Sequence, residues 1–176
     1  MPLNGADWYK EQPTNRNFLN PIGFILKLEK FAGVDFFCQS ANVPDITMPT
    51  TQVASPFRQL PTIPGGGVEF GDLSVTFIVD EDLKNYNSVY KWMRDNGNAD
   101  QMKLETTPED IFTDGQLLIT TSAFNPAFVI DFQQLFPVAL TNLQFDATIG
   151  DVEYITAQVT FKHQQFFLRD KDFKKL

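Results

Sequence analysis

Apolar and polar residues alternate with a period of two through most of this chain. In GFILKLEKF (23–31), Phe24, Leu26 and Leu28 fall on one side and Ile25, Lys27 and Glu29 on the other. That is the pattern of a strand with one buried face. VDFFCQSA (34–41) predicts a second strand, joined to the first as a hairpin through Ala32-Gly33. DITMPTTQVAS (45–55) is strand-like again, but Pro44 and Pro49 cannot donate a ladder hydrogen bond, which predicts an edge strand or an extended arm. PFRQLPTIPGGGVEFG (56–71), with three prolines and four glycines, reads as a long loop that carries Phe57, Leu60, Ile63 and Val68. DLSVTFIVD (72–80) has the cleanest alternation, with Leu73, Val75, Phe77 and Val79 on one face. The period then changes. In EDLKNYNSVYKWMRDNG (81–97), Leu83, Tyr86, Val89, Tyr90 and Met93 recur at three and four, with acids at the start, Arg94 near the end and Gly97 at the predicted C-cap. This is an amphipathic helix whose stripe should lie on a sheet.

Further strands are predicted in 115–123, 127–135 and 138–148, and in one long final strand over 153–168, with breaks at Asn125-Pro126, Phe136-Pro137 and Gly150-Asp151. In the last strand Ile155, Ala157, Val159 and Phe161 share the inward parity. The expected fold class is α+β: a mostly antiparallel β-barrel or sandwich with one flanking helix. Residues 1–20 read as an N-terminal arm, 21–168 as a single β-barrel domain and 169–176 as a basic tail.

Composition narrows this picture. Of 176 residues, 43% are hydrophobic and 18 are Phe, which argues for a packed core and against disorder. No apolar run approaches the roughly 18–20 residues of a membrane-spanning helix, and the N-terminal sequence has no signal-peptide pattern. A single cysteine excludes an internal disulfide and a multi-cysteine metal site, so the chain reads as one made in a reducing cytoplasm. The formal net charge is −8; the tail 169–176 carries net +2, so residues 1–168 carry −10. Such a surface repels nucleic-acid phosphate rather than gripping it.

Catalytic chemistry finds little support. His163, the only histidine, has inward parity and no nucleophile motif to serve. Cys38, between Phe37 and Gln39, reads as a small core hydrophobe. PGGGVEFG lacks the GK[ST] of a phosphate loop and leads into a strand instead of a helix. The acids Asp80, Glu81 and Asp82 suit a helix start. The expectation is a protein with no enzymatic activity, cofactor, metal or small-molecule substrate. What remains is an apolar surplus outside the regular elements: Trp8 and Tyr9, the loop from Phe57 to Val68, and Phe166, Phe167 and Phe173. Large apolar surfaces of this kind mark assembly contacts.

The order of elements resembles the tail tube proteins of contractile-tailed bacteriophages, relatives of the tube proteins of contractile injection systems. FFCQSANVPDI, where a strand leaves through an Ala/Asn-Val-Pro stretch, and SVTFIVDEDLKNYNSVYKWMRDNG carry the resemblance most clearly, mainly over residues 20–97. It implies a tail-tube-like barrel with a flanking helix, six copies to a ring, rings stacked through an extended hairpin or loop, and genomic DNA passing through the channel without specific binding. The main reading is therefore a hexameric ring of the tail tube, in the virion after synthesis in the host cytoplasm. A tube terminator (completion) protein or a baseplate tube initiator is the alternative on the same fold, and a monomeric ligand-binding β-barrel is the alternative from another class. Partners would be other copies and other tube, sheath, neck or baseplate proteins. Expected inter-subunit contacts are Phe37, Val43, Pro44, Ile46, Met48, Phe57, Leu60, Ile63, Val68, Phe166 and Phe167; expected lumen-facing acids are Asp146, Asp151 and Glu153. On this view the run from Phe36 to Val53 leaves its own domain to pair or pack on the next subunit.

Overall fold

The computed structural model describes residues 17–30, 37–53, 62–97, 111–146, 154–170 and 174. In chain order its strands are β1 (Phe24–Leu28), β2 (Cys38–Ala41), β3 (Ile46–Thr47), β4 (Thr50–Gln52), β5 (Thr62–Pro64), β6 (Glu69–Phe70) and β7 (Leu73–Ile78). After the helix α1 (Lys84–Gly97) come β8 (Thr113–Thr120), β9 (Pro126–Leu140), β10 (Thr156–Lys162) and β11 (Gln165–Asp170). The main sheet runs β1-β8-β9-β10-β7-β2, with β11 added to β9, and its ladders are antiparallel. β1 and β2, the two ends of that order, approach each other, so the sheet curls toward a barrel.

Alternation decides which side chains go inside. Leu26, Leu28, Leu73, Val75, Phe77, Leu117, Ile130, Phe132, Ala157, Val159 and Phe161 form one buried cluster, closed on the helix side by Val89 and Trp92. Phe77, Phe132 and Phe161 are its largest fully buried side chains, each worth about 1.5–3 kcal/mol of apolar transfer.

In the main sheet and helix the structure corrects these sequence expectations. The first two predicted strands do not form a hairpin. β1 pairs with β8 (Leu26 opposite Leu117) and β2 with β7 (Ala41 opposite Val75). β8 offers β1 a partner along its whole length, and a short connection alone does not enforce pairing. Second, the predicted break at Phe136-Pro137 is absent, because β9 runs 15 residues through it. The irregularity lies two residues earlier, where Gln134 has φ 55° and its N–H donates to Asp114 Oδ1 at 3.0 Å. The β8–β9 register shifts there, between Thr113 and Gly115, as at a bulge. The first part of β9 pairs with β8 and β11, the last part with β10.

Third, the long final strand is two strands, β10 and β11, separated at His163 and Gln164. The inward parity of Ala157, Val159 and Phe161 holds as expected. Fourth, the helix presents a rotated face. Val89 is buried and Tyr86 and Met93 pack on the core, but Leu83 and Tyr90 are exposed, while Asn85 and Trp92 are buried. Asn85 sets this rotation: its Nδ2 donates to the Ile78 carbonyl at 2.8 Å, and its backbone N–H donates to Asp80 Oδ1. Trp92 Nε1 donates to the Ile111 carbonyl at 3.2 Å, tying the helix to the chain that enters β8.

Candidate assembly surface

Between β2 and β7 the chain leaves the main sheet and returns. β3 pairs with β6 (Ile46 opposite Phe70), and β4 pairs with β5 (Thr51 opposite Ile63). The two short ladders make a two-stranded arm. Its outgoing half was legible as an edge or extended segment. Its returning half corrects the expected 56–71 loop, since residues 62–64 and 69–70 are strand. Pro and Gly hid it. Pro64 lies opposite Thr50 at the end of a ladder, where a missing N–H costs little. Gly65 donates its N–H to the Pro49 carbonyl at 2.6 Å, and a Cβ on Gly65 would stand 2.7 Å from that oxygen. Here glycine serves close backbone approach, not flexibility.

Asn42 fixes the point of departure. Its Nδ2 donates to the Asp72 carbonyl at 3.0 Å and its Oδ1 accepts the Ser74 N–H at 2.5 Å. The side chain thereby continues the β2–β7 ladder past the last residue of β2. Beside it, Gly71 N–H donates to the Asp45 carbonyl at 2.9 Å, closing the root of the arm. Every residue of β3, β4 and β5 is exposed. Val43, Ile46, Met48, Val53, Ile63 and Val68 show between 41% and 56% of their surface. A bare two-stranded ribbon is marginal in water, and one with this much uncovered apolar surface is suited to contact with another protein.

The expected contact residues fall into three groups. Val43, Ile46, Met48, Ile63 and Val68 come together on the arm and its root. Pro44 is buried beside them, and Phe37 is half-buried in the turn before β2, its carbonyl accepting the Ile78 N–H. Phe166 and Phe167 are on β11; Phe166 is buried in its own chain against Phe70 of the arm root, and Phe167 is half-buried. Phe57 and Leu60 lie outside the described residues, as do Asp151 and Glu153. Asp146 is exposed. A second exposed apolar group went unread in the sequence: Phe18, Leu19, Ile22 and Phe124. Phe124 tops the β8–β9 turn with φ 59°, held by its N–H to the Thr121 carbonyl. Its signal was an aromatic ring beside Asn125-Pro126, a turn dipeptide with no core to serve.

Below the arm root, four rings meet. His163 stands 5.8 Å from Phe70, 5.4 Å from Phe132 and 5.5 Å from Phe166 between ring centroids. Its pKa is lowered by burial, against an opposing pull from the Asp72 carboxylate. Cys38 is half-buried and packs on the core, and the described residues contain no group of three or more His, Cys, Asp or Glu able to hold a metal ion. The face of β9 away from the core carries an ion pair between Asp131 and Arg169 of β11.

A family model described as phage tail tube protein matches residues 7–169. The tail tube terminator protein of Enterobacteria phage T4 is 28% identical over 166 residues, covering 90% of this chain and 92% of that protein. Among solved structures, the tube-terminating cap of the anti-feeding prophage superposes with a TM-score of 0.66 at 17% identity, over 92% of this chain and 97% of the cap. A chain of the sheath–tube complex of the PVC extracellular contractile injection system superposes with a TM-score of 0.63 at 15% identity, over 96% and 99%. These structural likenesses carry the fold: a mostly antiparallel sheet with a flanking helix.

Proposed function

The chain belongs to the phage tail tube protein family, and on that premise we propose that it is a tail tube terminator, a structural protein that closes one end of a contractile-tail tube. The observation that carries this reading is the end-to-end correspondence with the T4 terminator, which leaves little of either chain unmatched. The resemblance to a terminating cap supports it at the level of shape. The reading prefers the terminator over the subunit of the long tube, the first expectation from the sequence.

In this reading several copies, six by the family resemblance, form one ring. The arm from Asn42 to Gly71 makes the contact between neighbours or between rings, through Ile46, Met48, Ile63 and Val68. Phe37, Pro44, Phe57, Leu60, Phe166 and Phe167 contribute further contacts. The acids Asp146, Asp151 and Glu153 face the channel, where an acidic lining would let DNA slide without binding. No catalytic step is assigned to any residue, and the protein acts in the virion tail. Electron microscopy of the purified protein tests the reading. Discrete closed rings that never elongate are expected. Long tubes formed by this protein alone would move it to the tube subunit role. A monomer at every concentration would favour the ligand-binding barrel.

A further inference from the structure

His163 occupies the corner at which the chain passes from β10 to β11, and the elements it touches are informative. Phe132 comes from β9 and Phe166 from β11, so both belong to the barrel. Phe70 comes from β6, the returning strand of the arm, and meets Phe166 edge-on at 5.4 Å as well as His163. The arm is thus joined to the barrel through one aromatic cluster, and one of its four rings can take up a proton. Both ring nitrogens of His163 are shielded from solvent and have no hydrogen-bond partner among the described residues. A neutral imidazole leaves one N–H donor unmet in that place. An imidazolium leaves two, together with a charge among apolar rings, which is the more costly arrangement.

The charged groups around the cluster do little to offset that cost. Asp72, at the start of the return into β7, is the carboxylate that acts on His163. Glu69 on β6, Asp131 on β9 and Arg169 on β11 each alternate with the residue that faces the cluster, so they point to the opposite side of their strands. Lys162 on β10 is exposed, and Asp170 lies at the far end of β11. Asp45, across the arm root from Gly71, is exposed.

We propose that His163 is a protonation-sensitive latch: neutral, it packs the arm root onto the barrel, and protonated, it releases the arm while the barrel stays folded. Phe70 is the contact that is lost; among the described residues the arm is otherwise held by the short β3–β6 ladder, the Gly71–Asp45 bond, the Asn42 clamp and the buried Pro44. The direction follows from linkage. Burial favours the neutral form in the latched state, so latching is complete above the ordinary imidazole pKa of about 6.5 and is lost as pH falls below it.

Amide hydrogen exchange at a series of pH values tests this, read as the ratio of arm protection (Thr47, Glu69, Gly71) to barrel protection (Val75, Val159). The ratio cancels the intrinsic pH dependence of exchange. In the wild-type protein it should fall on the order of tenfold between about pH 7.5 and 5.5, one proton's worth per pH unit. His163→Phe, which keeps a ring in place, should hold the ratio constant over that range. Asp72→Asn, which removes the anion that favours the charged form in the latched state, should leave the onset of the fall in place and carry the fall on to lower pH, with the barrel intact. A pH-dependent ratio that survives in His163→Phe, or arm and barrel amides losing protection together in the wild type, would overturn the latch.

Discussion

Asn42 acts as a backbone group: one side chain supplies an acceptor and a donor to β7 from a position outside any strand. Asn42→Ala should therefore destabilise the protein by about 1 kcal/mol, a modest loss because the site is exposed, and should raise exchange in the arm before the barrel. Asn85 is the buried counterpart. Asn85→Leu removes the donor to the Ile78 carbonyl and the partner of Asp80, and should cost about 1–3 kcal/mol in denaturant unfolding. Neither role was legible in the sequence. Asn42 finds its partners about 30 residues along the chain, and Asn85, outside the predicted apolar stripe, is the pin that turns it. Cys38 and His163 were legible in part: Cys38 as a small core hydrophobe and His163 by its inward parity, but the rings that make His163 a joint come from three different strands.

At the scale of elements, alternation did most of what it can do. β1, β7 and β10 appear with the expected inward residues because each has one face on a common core. It failed where a strand changes neighbours. β9 trades β8 and β11 for β10 across the irregularity at Gln134, so its burial pattern breaks period inside one continuous strand. It also failed for the return of the arm, where proline and glycine outnumber the usual strand formers. The arm's glycine gives a direct check. Gly65→Val sets a branched side chain against the Pro49 carbonyl, and should abolish protection of the β4–β5 ladder in hydrogen exchange while the barrel melts as before. Excising the arm distinguishes a core element from an assembly element. Replacing residues 48–68 with an Asn-Gly turn should change unfolding free energy by less than about 1 kcal/mol, as loop shortening does. The same variant should elute as a monomer in size-exclusion chromatography at concentrations where the full chain forms rings.

The whole molecule combines an acidic surface with uncovered apolar projections. Net charge −8 opposes non-specific association, so in the proposed ring contacts between copies would fall to shape and apolar burial at the arm rather than to attraction at long range. If the acids near Asp146 line the channel, Asp146→Lys in an infectious particle should slow DNA ejection at low salt and recover at high salt, because phosphate binding by lysine weakens as counterions compete. Unchanged ejection at both salts would take Asp146 out of the lining. The terminator role is tested most directly by mixing gold-labelled protein with preformed tail tubes of its own phage and imaging them. The label should sit at one end of each tube, and tubes so capped should stop growing when more tube subunit is added. Label spaced along the tube walls, or tubes that grow on past it, would contradict a terminator.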